Sequence, residues 1–147
     1  MGKANLIERL MDCWNTGNLD GIDQMLSADF VRHEPDLRTS TIEDYKENIR
    51  HYHTALADFH TESMDTIAQG NKVVLRFRTT GKKDNVPVVF EGVTILRIEG
   101  EKIVEDWVYF DATGVQRSWP RRKARKSRFR IAYRKTHPRR GYPMKSR

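Results

Sequence analysis

NKVVLRFRTTGKKDNVPVVFEGVTILRIEGEKIVEDWVYFD, residues 71–111, alternates apolar and polar side chains with the period of two that a pleated strand requires. Val73, Leu75 and Phe77 share one face. Val89, Val93 and Ile95 share one face of the next segment, and Phe90, Leu96 and Ile98 share the other. Residues 60–68, 71–80, 86–98 and 102–111 each suit a β-strand. They are separated at Gly70-Asn71, at the run GKKDN (81–85) and at Glu99-Gly100. Breaks this short join antiparallel neighbours, because a parallel return needs a crossover of a dozen or more residues.

Upstream of the strands the period is helical. Leu6, Ile7, Leu10, Met11 and Trp14 place an apolar stripe on a helix over 4–15, with Asn15 and Gly17 at its exit. A short helix over 20–26 has Asp20 as its candidate N-cap and turns Ile22, Met25 and Leu26 inward. ADFVRHEPDLRTS follows and ends in loop signals. Ser40 and Glu43 then have the spacing of a capping box, opening a helix that runs to about Leu56 on a stripe of Ile42, Tyr45, Ile49, Tyr52 and Leu56. Apolar residues on both faces of the strands require cover on both. Helices packed on a long antiparallel sheet supply it and enclose a cone able to hold a small ligand.

The 147 residues, 37% hydrophobic, suffice for one core but not two. The net charge of +7 is unevenly distributed. Residues 120–147 carry 13 Lys or Arg and no acidic residue, whereas the first 119 hold 14 basic and all 20 acidic residues. The chain therefore divides into a pocket domain, 1–119, and a basic, flexible extension, 120–147. Its arginines are interleaved with Phe129, Tyr133 and Tyr142, a composition suited to nucleic acid or another anionic surface. The competing reading is a solubilising tail. Cys13 is the only cysteine, so no intrachain disulfide forms and a reducing, cytoplasmic location fits. No apolar run approaches the ~20 residues of a membrane span. His51 and His53 point apart on a helix and H-E-x-x-H is absent, so no metal is expected.

The closing strand has the richest chemistry. Alternation puts Ile103, Glu105, Trp107, Tyr109 and Asp111 on one face, and Val104, Asp106, Val108 and Phe110 on the other. The first face joins carboxylates to aromatics, where desolvation raises a carboxyl pKa toward neutrality. Its alternative is a solvated edge face. A one-residue shift of register would exchange the two sets, which keeps Asp106 as the alternative acid/base.

NTGNLDGIDQMLSADFVRHEP, TIEDYKENIRHYHTALADFHTE, GNKVVLRFRTTGK and FEGVTILRIEGEKIVEDWVYFDATGVQ, taken in order from about Leu6 to Gln116, resemble the SnoaL-like polyketide cyclase and ester cyclase group of the NTF2-like superfold. The resemblance implies an α+β, cone-shaped barrel with N-terminal helices on a curved antiparallel sheet, commonly a homodimer. It further implies cofactor-independent chemistry on a hydrophobic small molecule, such as intramolecular aldol cyclisation of a polyketide-type ester by a lyase- or isomerase-like enzyme. Asp111 matches the family's acid/base and His33 its pocket histidine. Phe30, Trp107 and Tyr109 would wall the pocket, with Tyr52 and His60 completing the binding set. The family's pattern ends near GVQRSW, so the basic extension departs from it. A second function class therefore stays open: a non-catalytic ligand-binding or dimerisation module whose extension makes the useful contact.

Overall fold

The structure, a computed structural model, describes residues 2–35 and 39–111. Helix α1 (Lys3–Thr16) buries Leu6, Ile7, Leu10 and Cys13 and ends where Gly17 turns left-handed, at φ 73°. Helix α2 (Leu19–Met25) is capped by Asn18, whose side chain accepts from Gly21 N at 3.1 Å. Asp20 lies inside the first turn instead of at the cap. The chain then enters the sheet at once as β1 (Leu26–His33), a strand that the polar sequence ADFVRHEP had concealed. A two-residue strand, β2 (Thr39–Ser40), pairs with its end.

Helix α3 (Ile42–Ala55) starts one residue later than the capping-box spacing implied. Ser40 is paired with Arg32 in the sheet, so Thr41 and Asp44 form the box: Asp44 N donates to Thr41 Oγ1 at 3.4 Å, and Thr41 N to Asp44 Oδ2 at 3.0 Å. Thr41→Ala should cost about 0.5–2 kcal/mol, read as a lower urea midpoint with unchanged slope.

Strands β3 (Ala57–Gln69), β4 (Lys72–Lys83), β5 (Val86–Glu99) and β6 (Lys102–Phe110) form a meander with two-residue turns. Asp84 and Asn85 both have positive φ, 50° and 64°, the hand that matches the twist of the flanking strands. The expected GKKDN break thus shrinks to its last two residues.

The six strands lie in the order β2-β1-β6-β5-β4-β3. Two of the fold expectations are corrected. The sheet is mixed, since β1 runs parallel to β6, and among the described residues it is not closed into a barrel, since the order begins at β2 and ends at β3 without a pairing between them. Helix α1 takes the place of a further strand at the β3 edge. Asn15 Nδ2 donates to Thr61 O at 2.9 Å and Thr61 N donates to Asn15 Oδ1 at 2.7 Å, so a side chain satisfies backbone groups that a neighbouring strand would need.

The core fills the space between the helices and one sheet face, with Leu10, Ile22, Met25, Phe30, Ile49, Leu75, Leu96 and Ile103 among its members. A bulge in β6 alters the simple alternation. Arg97 pairs with Glu105 but Ile98 with Ile103, which leaves Val104 as the extra residue. Ile103 consequently joins Asp106 and Val108 as a buried residue. The domain division at residue 119 and the proposed contacts of 120–147 fall outside the described residues.

Candidate functional site

The helix-facing side of the sheet holds a charged pair in the core. Asp106 on β6 is 1% exposed and Arg32 on β1 is 7% exposed; these residues are register partners in adjacent parallel strands. Arg32 Nε lies 3.5 Å from Asp106 Oδ2, an ion-pair distance without hydrogen-bond geometry. Thr94 on β5 donates its hydroxyl to the other carboxylate oxygen. Aromatic rings close over the pair. The Arg32 guanidinium carbon is 4.9 Å from the Tyr45 ring centre and 6.0 Å from that of Trp14. Trp14 Nε1 donates to Tyr45 Oη at 2.8 Å, and Phe30 meets Tyr45 edge-on at 5.5 Å.

Opposing forces set the Asp106 pKa. Desolvation is the largest and raises it; the Arg32 charge, the Thr94 hydrogen bond and the charge of His33 lower it, and the result is a raised value. Burial also pushes the Tyr45 hydroxyl up to about 12, against the opposing pull of Arg32. Tyr45 is therefore a neutral donor at physiological pH. Among the described residues the guanidinium is incompletely satisfied, because Arg32 Nε and Nη1 are enclosed and find no hydrogen-bond partner there. Each unmade bond of a buried polar group costs about 1–3 kcal/mol, so the arrangement is not one that stability alone favours.

A second cluster occupies the opposite face. His33 Nε2 donates to Glu105 Oε1 at 2.7 Å, and Arg97 Nε donates to Glu105 Oε2 at 2.9 Å. Trp107 stacks on His33 with centroids 5.2 Å apart, and Lys72 Nζ lies 5.3 Å from the Trp107 ring centre. The His33 hydrogen bond, ahead of Arg97, holds the Glu105 carboxyl below its usual range. A depressed carboxyl pKa contributes stability above the unfolded value, and that contribution is lost as pH falls through the folded one. Glu105→Gln should therefore lower stability by up to about 1 kcal/mol near neutral pH and by nothing at strongly acidic pH, as read from urea midpoints across the range.

The residues singled out in sequence thus divide between two faces. His33 and Trp107 come together, but on the face away from the helices. Tyr109, two residues further along that face, is 53% exposed. Asp111 is exposed just beyond β6, its N–H donating to Glu91 O at 3.2 Å. Phe30 and Asp106 lie on the helix-facing side. Tyr52 belongs to a neighbouring aromatic group with Trp14, Phe59 and Phe90, and His60 is exposed on β3. Arg32, Tyr45, Trp14 and Thr94 escaped sequence reasoning as site residues. The available signal was Phe30-x-Arg32, which puts the arginine on the buried face once 26–33 is read as a strand.

Among the described residues no group of three His, Cys, Asp or Glu side chains could hold a metal. A surface cleft of about 280 Å³ opens beside the β5–β6 turn, lined by Lys3, Arg9, Gln24, Glu101 and Lys102 among others. It includes neither member of the buried pair. Among the described residues no helix is long and apolar enough to cross a membrane.

A family model described as a SnoaL-like domain matches residues 7–106. The chain belongs to the SnoaL-like family. The matched stretch contains Trp14, Arg32, Tyr45, Thr94 and Asp106 and ends on the last of them. Among solved structures, the chain resembles a Bacillus cereus ATCC 10987 protein provisionally described as a polyketide cyclase: 26% identity and TM-score 0.71 over 76% of each chain. It resembles TsrD from Streptomyces laurentii at 20% identity and TM-score 0.69, over 80% of this chain and 96% of that one. A third structure, from Catenulispora acidiphila DSM 44928, has a ketosteroid isomerase-like fold and was determined with trimethylamine. It aligns at 18% identity and TM-score 0.67, over 78% of this chain and 93% of that one. The latter two likenesses speak to fold alone. No curated protein sequence matches the chain.

Proposed function

We propose that the protein is a cofactor-independent SnoaL-like enzyme that moves a proton on a hydrophobic small molecule at a carbon next to a carbonyl group. Asp106 is the acid/base, and Arg32 with Tyr45 stabilises the oxygen on which negative charge develops. Intramolecular aldol closure of a polyketide-type ester is one reaction of this class. The observation that carries the proposal is the enclosed Asp106 carboxyl, beside a guanidinium that still has unused donors.

The chemistry follows from that pairing. A carboxyl with a raised pKa accepts or returns a proton at lower cost near neutrality than a solvated one. An oxyanion forming beside Arg32 gains hydrogen bonds that the resting site lacks, so the interaction strengthens as charge appears. The rings of Trp14, Tyr45 and Phe30 surround Arg32 with apolar surface. Asp111, exposed at the end of β6, has none of this enclosure, and the proton-transfer role assigned by resemblance passes to Asp106.

The test is incorporation of deuterium from D2O into a panel of aromatic β-keto esters, followed by NMR. Wild-type protein and Asp111→Asn should exchange at similar rates, whereas Arg32→Gln should be much slower. Loss of exchange in Asp111→Asn with full activity in Arg32→Gln would return the role to Asp111. A homodimer belongs to the same proposal, through the sheet face carrying Trp107 and Ile95, and sedimentation equilibrium tests it.

A further inference from the structure

We infer that Arg32 is the anchor for the carboxylate of an aromatic acid, and that such a ligand enters together with a proton taken up by Asp106. This names a ligand class for the site just described and rests on the reading of Asp106 as its proton carrier.

Arg32 has unused hydrogen-bonding capacity. The Arg32 side chain is 9% exposed, and its Nε and Nη1 make no hydrogen bond. Its counter-ion does not supply one, since Asp106 Oδ2 stands 3.5 Å away and the Thr94 hydroxyl is bound to the other oxygen. A neutral apolar ligand would leave those donors as they are. A carboxylate brings acceptors with the charge and lone pairs that a guanidinium matches. The Tyr45 and Trp14 rings beside Arg32 then favour an aromatic body behind the carboxylate. A single guanidinium balances one negative charge, which favours a monoanion over a phosphate dianion.

Charge balance at the buried pair bears on the proton. The titratable groups around Asp106 are Arg32 and His33 from β1 and Tyr45 from α3, with Cys13 of α1 acting on Tyr45. Thr94 from β5 contributes a neutral hydroxyl. Burial raises both the Tyr45 hydroxyl and the Cys13 thiol, so neither adds charge near neutrality. His33 is engaged by Glu105 on the other face. An incoming carboxylate would thus place two anions against one buried cation. Protonation of Asp106, whose pKa burial already raises, removes the excess charge. In the complex with a carboxylate Asp106 therefore holds the proton.

The experiment is calorimetric titration of the full chain with 2-naphthoate and its neutral isostere 2-naphthamide, in two buffers of different ionisation enthalpy near pH 7. Naphthoate should bind with uptake of about one proton and weaken about tenfold per pH unit wherever free Asp106 is ionised. Naphthamide should bind at least about tenfold more weakly, a gap typical of losing a charged hydrogen bond. Asp106→Asn should bind naphthoate without proton uptake or pH dependence. If that variant fails to fold, the wild-type buffer pair and the amide comparison decide alone. Equal affinity for acid and amide, no binding of the acid, or binding without proton uptake would each overturn the inference. Failure to bind naphthoate alongside Asp106-dependent deuterium exchange would leave the proton-transfer reading intact. Proton-linked naphthoate binding with exchange unaffected by Asp106→Asn would retain the ligand class and remove the reaction.

Discussion

Asp106→Asn is expected to reduce deuterium exchange into a confirmed substrate by about 10²–10⁴-fold, the usual contribution of a positioned acid/base. Asparagine keeps the volume and can still accept the Thr94 hydrogen bond, but it cannot take up the proton. The same variant changes stability in a way that depends on pH. Burial holds the folded-state pKa of Asp106 above the usual aspartate value, so its contribution is fully present below that usual value and is lost as pH rises through the folded pKa. Wild-type stability should carry this decline between about pH 4 and the folded pKa, and the asparagine variant should not. Urea midpoints at successive pH values give the difference. A variant that exchanges at the wild-type rate would end the catalytic assignment. Identical pH dependence of stability in the two proteins would end the account of the buried carboxyl.

Gly92→Ala should produce the largest loss of stability from adding a single methyl group to the sheet. A Cβ at position 92 would lie 2.5 Å from the Tyr109 carbonyl oxygen, 2.6 Å from Phe77 Cζ and 2.7 Å from Phe110 Cβ. The Phe77 ring tip has some freedom, but the carbonyl belongs to the neighbouring strand. Relief therefore requires β5 and β6 to separate where Gly92 pairs with Phe110. Overpacking of this kind costs about 1–3 kcal/mol. The melting temperature should fall by roughly 4–8 °C for each kcal/mol in a domain near 100 residues. An unchanged melting temperature would mean that this pairing is looser than its distances indicate.

Local patterns were the readable part of this fold. The stripe Leu6, Ile7, Leu10 lies on α1, and the stripe through Tyr45 and Ile49 lies on α3, because helix periodicity needs only near neighbours. The three turns were located by Gly70-Asn71, the run GKKDN and Glu99-Gly100, whose backbone preferences are likewise local. The pairing of β1 with β6 could not be read this way. Arg32 and Asp106 are far apart in sequence, and each looks like a surface residue until its partner is known. The open sheet escaped for a related reason, since nothing in Asn15 itself announces that its amide will meet Thr61. Asp106 was conspicuous as the one carboxylate in an apolar alternation. The bulge at Val104, which brings Ile103 to the same side, cannot be recognised from residue types.

The pairing of Asn15 with Thr61 also bears on how copies of this protein avoid sticking together. β3 is thirteen residues long and lies at the margin of the sheet, where unpaired backbone groups invite strand addition from another molecule. At Thr61 those groups are already occupied by the amide of α1. Further on, the register shift between Ser63 and Asp65 breaks the regular spacing that an added strand would have to match. Glu62 and Asp65 add like charges that would face each other across a β3–β3 junction between two copies. The open sheet therefore has a margin poorly suited to strand addition and growth into fibrils.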